Sequence, residues 1–218
     1  MAVAIFDLDR TLTKYATYTP FLIFAAFHRA PWRLLLLPLW LVAMLGYVAG
    51  IFSRKTLKEI GFYLLIGRVI GADTLQTLAN RFANVMISRN LLADAVAQVR
   101  AERAAGARLI LATASPDFYA KSIAERLGFD QVIATQHQRT TSAQISHKIA
   151  GENCYGAAKL RLVRTVLADA KVAEISFYTD SASDAPLLDW VGCAYAVNPD
   201  RALRRLAQQN GWSVLIFA

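Results

Sequence analysis

Val3-Ala4-Ile5-Phe6-Asp7-Leu8-Asp9-Arg10-Thr11-Leu12-Thr13 sets an apolar run directly against two aspartates. Val3–Phe6 has the length and content of a short buried strand, which Asp7-Leu8-Asp9 brings to an end. The stretch does not read as a secretory leader. It lacks a basic start, Ala2–Phe6 is too short an apolar run, and acidic residues follow at once.

Downstream, the same grammar repeats. Leu91–Ala105 has a helical period that stops at Gly106, and Arg108–Ala112 is a strand leading into Thr113-Ala114-Ser115-Pro116. Asp117–Leu127 reads as a helix closed by Gly128, and Val132–Ala134 as a strand. Gln136–Gly151 is polar, with the look of a hairpin. A helix over Tyr155–Ala170 precedes a strand at Ile175–Tyr178 and the loop Asp180–Asp184. Ala194–Val197 and Arg201–Gln209 form the last strand and helix. Alternating strands and helices with right-handed crossovers predict an α/β fold, a doubly wound parallel sheet with helices on both faces. Residues 1–13 and 91–218 form this core. Residues 14–90 read as an inserted helical cap, with Ser53 capping a helix that runs to Ile66 and another from Asp73 or Thr74 to Arg89.

The chain carries 24 Lys+Arg against 16 Asp+Glu, and 56% of it is hydrophobic. Disorder is excluded by that hydrophobicity, and a disulfide scaffold by the presence of only Cys154 and Cys193, read as reduced thiols. From Arg10 to Ala72 there are eight basic residues and one acidic residue, Glu59, so this stretch holds +7 of the formal +8. A basic charge confined to the most apolar part suits an anionic membrane surface better than nucleic acid, and no nucleic-acid partner is expected.

In a parallel sheet, ligands bind beyond the carboxyl ends of the strands. Asp7, Asp9, Thr113, Ser115, Asp180 and Asp184 all end predicted strands, and Lys159 opens a helix nearby. Clustered carboxylates need a cation, and an all-oxygen set suits Mg²⁺. With a lysine and a hydroxyl alongside, the inventory is that of a site for a phosphoryl group.

These residues resemble the four motifs of the haloacid-dehalogenase-like phosphohydrolases, in order, across almost the whole chain. Asp7-Leu8-Asp9-Arg10-Thr11 is similar to motif I, Leu109–Thr113 to motif II, Lys159 to motif III, and Asp180 with Asp184 to motif IV. The resemblance implies Asp7 as nucleophile and Asp9 as general acid and base. Thr113, Ala114 and Lys159 would bind phosphate, with Thr113 and Lys159 also serving catalysis. Mg²⁺ would be held by Asp7, the Asp9 carbonyl and Asp180, with Asp184 a ligand or a supporting partner. Arg10 departs from the glycine common there. The position of the insertion matches the phosphoserine-phosphatase-like branch, which implies a phosphomonoester substrate.

Each residue also has a plainer reading. Asp7 could cap a turn, Thr113 or Asp184 a helix, and Lys159 could be a solvated surface charge. Ser115, beside Pro116, reads as structural. His28, His137 and His147 read as surface residues without ligand spacing.

Leu34–Ser53 is uncharged and near the length that spans a bilayer, with Trp32, Trp40 and Tyr47 suited to interfacial depths and Arg33, Arg54 and Lys55 flanking. A single crossing would separate Asp7 from its partners, so a re-entrant or interfacial cap fits better; a cap buried on the core is the alternative. This combination resembles the phosphatidylglycerophosphatase C family, which implies a phospholipid substrate and association with the cytoplasmic side of the inner membrane. A soluble monoester such as phosphoserine, or a non-catalytic membrane-associated binding protein, are the competing readings.

Overall fold

The computed structural model describes residues 2–141 and 143–218. Met1, assigned above to the core, and Ser142, in the polar segment, lie outside the described residues. Strand β1 (Val3–Phe6) is buried at every position and lies inside a six-stranded sheet. It pairs in parallel with β3 (Arg108–Pro116) on one side and β7 (Ile175–Thr179) on the other. Beyond them lie β4 (Gln131–Thr135), β8 (Cys193–Val197) and β9 (Ser213–Leu215), giving the order β4-β3-β1-β7-β8-β9, all parallel. The alternation along β1 explains why both faces are covered. Ala4 and Phe6 join the core beneath α5 (Ala93–Ala104) and α6 (Asp117–Leu127). Val3 and Ile5 join a second core beneath α7 (Ala157–Val166), α8 (Ala185–Leu188) and α9 (Arg201–Asn210). This is the α/β architecture expected from the sequence.

Between Thr13 and Leu91 the chain makes an excursion closed at its base by a bridge between those two residues. Lys14 N donates to Asn90 O at 2.7 Å, and Leu92 N to Leu12 O at 2.9 Å. The excursion contains α1 (Tyr18–Arg29), a 3-10 turn (Pro31–Leu36), α2 (Leu37–Val48), α3 (Arg54–Leu65), β2 (Val69–Gly71) and α4 (Ala72–Arg89). Ser53 caps α3 as expected, its Oγ accepting from Thr56 N at 3.1 Å. Strand β2 went unread, because three residues carry no periodicity. It pairs antiparallel with β6 (Gln144–Ile149), which forms a hairpin with β5 (His137–Thr141). The polar 136–151 segment is therefore a hairpin, and it docks on the insertion. Glu59 accepts from Lys148 Nζ at 2.8 Å and from Ile149 N at 3.0 Å.

The uncharged 34–53 run is not one uniform α-helix, although helical turns continue from Pro31 to Val48, a stretch long and apolar enough to cross a membrane by length and composition. Pro31 opens a 3-10 turn, Pro38 sits in the first turn of α2, and the chain turns at Gly50, whose φ is +76°. Trp40 is not interfacial either: it is buried, edge-on to Tyr18 and pressed against Gly61, where an added Cβ would come within 2.7 Å of the indole. The outer side of α2 stays uncovered. Leu39, Val42, Leu45 and Val48 are all more than half exposed.

His137 is not a surface residue. It is buried between Phe62 and Phe118, with ring centroids 4.9 and 5.4 Å away, and neither ring nitrogen has a hydrogen-bond partner among the described residues. Burial, reinforced by Lys58, pushes its pKa down to about 3. A histidine whose folded pKa lies below its unfolded value of about 6.5 contributes stability above that pH and loses it as the pH falls. Urea unfolding should show a loss of about 2 kcal/mol from this residue between pH 6.5 and 4.5. His137→Phe should flatten that slope.

Candidate active site

The carboxyl ends of β1, β3 and β7 open into one cavity of about 230 Å³. Asp7, Asp9, Thr113, Ala114, Lys159, Asp180 and Asp184, every site residue expected from the sequence, line it together with Arg10, Ala16, Arg54, Tyr155, Ser181 and Ser183. Lys159 is the organising cation. It is 2% exposed, and its Nζ donates to Asp7 Oδ1 at 2.9 Å and to Asp184 Oδ2 at 2.6 Å. Burial alone would lower its pKa, but Asp184 and then Asp7 outweigh that and hold the ammonium above the ordinary lysine range. Gly156, with a φ of +57°, starts α7 next to Ser183 O, 3.4 Å from where a Cβ would stand. This turn seats Lys159 over the acidic loop.

Burial pushes the Asp7 carboxyl up to about 7. Lys159 opposes the shift, while Asp184, Asp180 and Asp9 add to it. Asp180 is pushed up to about 6, again chiefly by burial. Asp184 Oδ2 also accepts from Thr179 Oγ1 at 2.8 Å, whereas its Oδ1 is buried without a partner among the described residues. Thr113 caps no helix, since α6 begins after Pro116, and Asp184 stands at the N-cap position of α8 without a side-chain cap bond. Thr113 Oγ1 accepts from Ser115 N at 3.0 Å, so its own proton is free to be donated. The crowded carboxylates and the orphaned oxygen suit a hard cation. Among the described residues no three Asp, Glu, His or Cys side chains converge to hold one unaided, so main-chain oxygen and water would complete the shell, as Mg²⁺ allows.

Asp9 has a different setting. Its Oδ1 accepts from Thr17 N and Thr17 Oγ1, both at 2.7 Å, and its Oδ2 from Ser115 Oγ at 2.8 Å. Tyr119 OH donates to Ser115 Oγ at 2.9 Å and lies 3.1 Å from Thr17 Oγ1. Ser115, read from the sequence as structural, thus grips the second aspartate. Hydroxyls both donate and accept, so this trio can serve Asp9 in either protonation state.

Residues 4–189 match the family of haloacid dehalogenase-like hydrolases. The chain belongs to that family. A solved structure from Bordetella pertussis Tohama I, of a protein of unknown function, superposes with a TM-score of 0.87 at 29% identity, covering 98% of this chain and 97% of that one. A probable phosphatase of Mycobacterium tuberculosis is 30% identical across 79% of this chain and 67% of its own length. The phosphoserine phosphatase SerB1 of the same organism is 34% identical, over 52% of this chain and only 37% of that protein.

Several site residues of this hydrolase escaped the sequence reading. Thr11, quoted in the first motif without a role, accepts from Asp180 N at 3.0 Å and so ties β1 to the acidic loop. Thr17 and Tyr119 carried no signal, since eight and 110 residues separate them from Asp9 with no periodic link. Lys58 did carry one: it lies on the buried stripe of α3, four residues before Phe62 and seven before Leu65. Its Nζ donates to Ala114 O at 2.5 Å and Asn153 Oδ1 at 2.7 Å, and burial followed by Arg54 lowers its pKa to about 7. Arg10 has a φ of +61°, a conformation costing a non-glycine residue about 1 kcal/mol, which explains why glycine is common there.

Lys159→Met would strand two buried carboxylates. Stability should fall by about 3–5 kcal/mol in denaturant titrations, as when one partner of a buried ion pair is removed. Adding Asp184→Asn should restore part of that loss.

Proposed function

We propose that this hydrolase is a Mg²⁺-dependent phosphomonoesterase working through an aspartyl-phosphate on Asp7, and that its substrate is the terminal phosphate of a membrane lipid headgroup such as phosphatidylglycerophosphate. A phosphatase accords with the family and with the phosphatase names of its relatives. In the chemistry we infer, an Asp7 oxygen attacks phosphorus while the ester P–O bond breaks, and Asp9 gives its proton to the leaving oxygen. Asp9 then takes a proton from a water whose oxygen attacks the phosphoryl group, releasing inorganic phosphate and restoring Asp7. The Thr113 hydroxyl and the Lys159 ammonium face the phosphoryl oxygens and stabilise the charge that builds on them. Asp7, Asp180 and the Asp9 carbonyl would hold Mg²⁺, with Asp184 behind them. When bound, the ion supplies Lewis-acid neutralisation of phosphoryl charge.

The observation that carries the substrate reading is the composition of the pocket wall. Apart from the four catalytic-cluster aspartates, the lining holds two arginines, a tyrosine, two serines, a threonine, two alanines and Lys159, and no further carboxylate. Glu59, the one acidic residue between Arg10 and Ala72, is turned away into the hairpin, paired with Lys148. An ammonium-bearing leaving group such as serine finds no dedicated partner, whereas an anionic one meets Arg10 and Arg54. The complete catalytic inventory speaks against a non-catalytic binding protein.

Phosphate release should be faster from phosphatidylglycerophosphate in mixed micelles than from phosphoserine; the reverse preference would overturn the lipid reading. Asp7→Asn should lower Mg²⁺-dependent hydrolysis of an aryl phosphate by on the order of 10³-fold or more. An aryl phosphatase rate left intact in that variant would remove Asp7 as the nucleophile.

A further inference from the structure

Helix α2 has no polar side. Trp40 and Ala43 are buried against the rest of the insertion, while Leu39, Val42, Leu45 and Val48, at successive steps of three, face outward. Leu35 before the helix and Ile51 after it continue the strip at 81% and 71% exposure. Pro31–Val48 has a mean hydropathy of 1.5, yet only 17% of it is buried. A helix apolar all round belongs in an apolar surrounding, and a strip of this extent on a soluble surface marks a docking face.

We infer that this strip is an interfacial docking surface for an anionic lipid bilayer, with α2 lying flat in the headgroup region. The surface stands on its own observations and does not rest on the proposed catalytic chemistry. Its charge selects the partner. Arg29 and Arg33 precede the strip in the chain and Arg54 and Lys55 follow it, each keeping its charge while bonding to carbonyls or stacking within the fold, and no acidic residue lies between them in the sequence. A second copy would bring like charges together, whereas anionic headgroups around an apolar interior complement both features. Geometry selects lying over spanning. Arg33 Nη1 donates to Leu64 O at 2.8 Å, beside the end of α3, and Trp40 presses on Gly61. At the other end, Gly46 abuts the Phe52 ring, two residues before α3 begins. The arm is thus held along α3 for its whole length. By length and composition Pro31–Val48 could cross a bilayer core, so it is this packing along α3, and not shortness, that keeps the arm beside the fold. Ile51 precedes the pocket residue Arg54 by three positions, at most about 11 Å along the chain, so docking brings the cavity mouth to the lipid surface.

The test is cosedimentation of the full chain with vesicles of phosphatidylcholine, with and without phosphatidylglycerol, beside sedimentation-velocity runs without lipid. Wild type should bind the anionic vesicles roughly tenfold better than the neutral ones, less so at high salt, with a blue shift of Trp32 emission that is absent in Trp32→Phe. The triple variant Leu39→Gln, Val42→Gln, Leu45→Gln should lose roughly tenfold in vesicle binding while keeping its circular dichroism and aryl phosphatase rate. Asp7→Asn should bind vesicles like wild type, which separates failure of the docking surface from failure of the catalytic assignment. Absence of binding to anionic vesicles, binding unchanged in the triple variant, or a wild-type dimer that the triple variant makes monomeric would each overturn the inference. Should the triple variant misfold, the single substitution Leu45→Gln with the Trp32 readout decides between the same outcomes.

Discussion

One buried ammonium holds the site together. Lys159 sits between Asp7 at the end of β1 and Asp184 beyond β7, and without it those carboxylates could not share a desolvated space. The pairing dictates much of the surrounding architecture. Helix α7 must start where Lys159 can reach both acids, which requires the left-handed turn at Gly156. β1 and β7 must be neighbours in register, which Phe6 opposite Tyr178 provides. Thr11 and Thr179 then fasten the loop that carries the remaining aspartates. Even so, one ammonium faces four carboxylates. Burial raises the Asp7 and Asp180 carboxyls, with the neighbouring carboxylates adding to the shift, and a cationic metal, or a phosphoryl group bound with one, would relieve the crowding.

Legibility from the sequence followed the range of the interactions involved. Strand-end aspartates, the Thr113 bend and the Lys159 helix start could be read because each sits at a boundary where apolar periodicity breaks into polar residues. Gly128 likewise closed its helix in the left-handed conformation, as its position suggested. The hydroxyl trio around Asp9 could not be read, because Thr17, Ser115 and Tyr119 meet only once the insertion folds back over β3 and α6. His137 and Trp40 were misplaced for a related reason. Both carry ring nitrogens that usually seek a partner or water, and here both are buried with no hydrogen-bond partner for them among the described residues. Strand β2 exists only through its pairing with a hairpin some 75 residues later.

The excess positive charge that marks the insertion is divided among different tasks. Arg29 and Arg33 donate to the last carbonyls of α3, at Ile66, Tyr63 and Leu64, where the helix end is electronegative. Lys58 crosses from α3 to the Ala114 carbonyl and locks the insertion to the carboxyl end of β3. Arg54 lies 4.2 Å over the Tyr155 ring and turns its guanidinium into the cavity. Helix α3 is thus the shared beam: its C-terminal end anchors the apolar arm, its middle carries Gly61 under Trp40, and its N-terminal end supplies a wall of the site.

That arrangement couples two surfaces with opposite needs. The cavity requires low dielectric and closely held water for phosphoryl chemistry, while the outer side of α2 is disfavoured by water altogether. Because both are fixed to α3, a partner that covers the apolar strip must also approach the cavity mouth at Arg54. A soluble substrate would gain nothing from this proximity. For a phosphate carried on a lipid, the same contact that removes Leu39 and Leu45 from water also fixes the height of the headgroup relative to Asp7. Binding energy collected on the arm can thereby be spent on orientation at the reacting phosphorus, where placement governs rate.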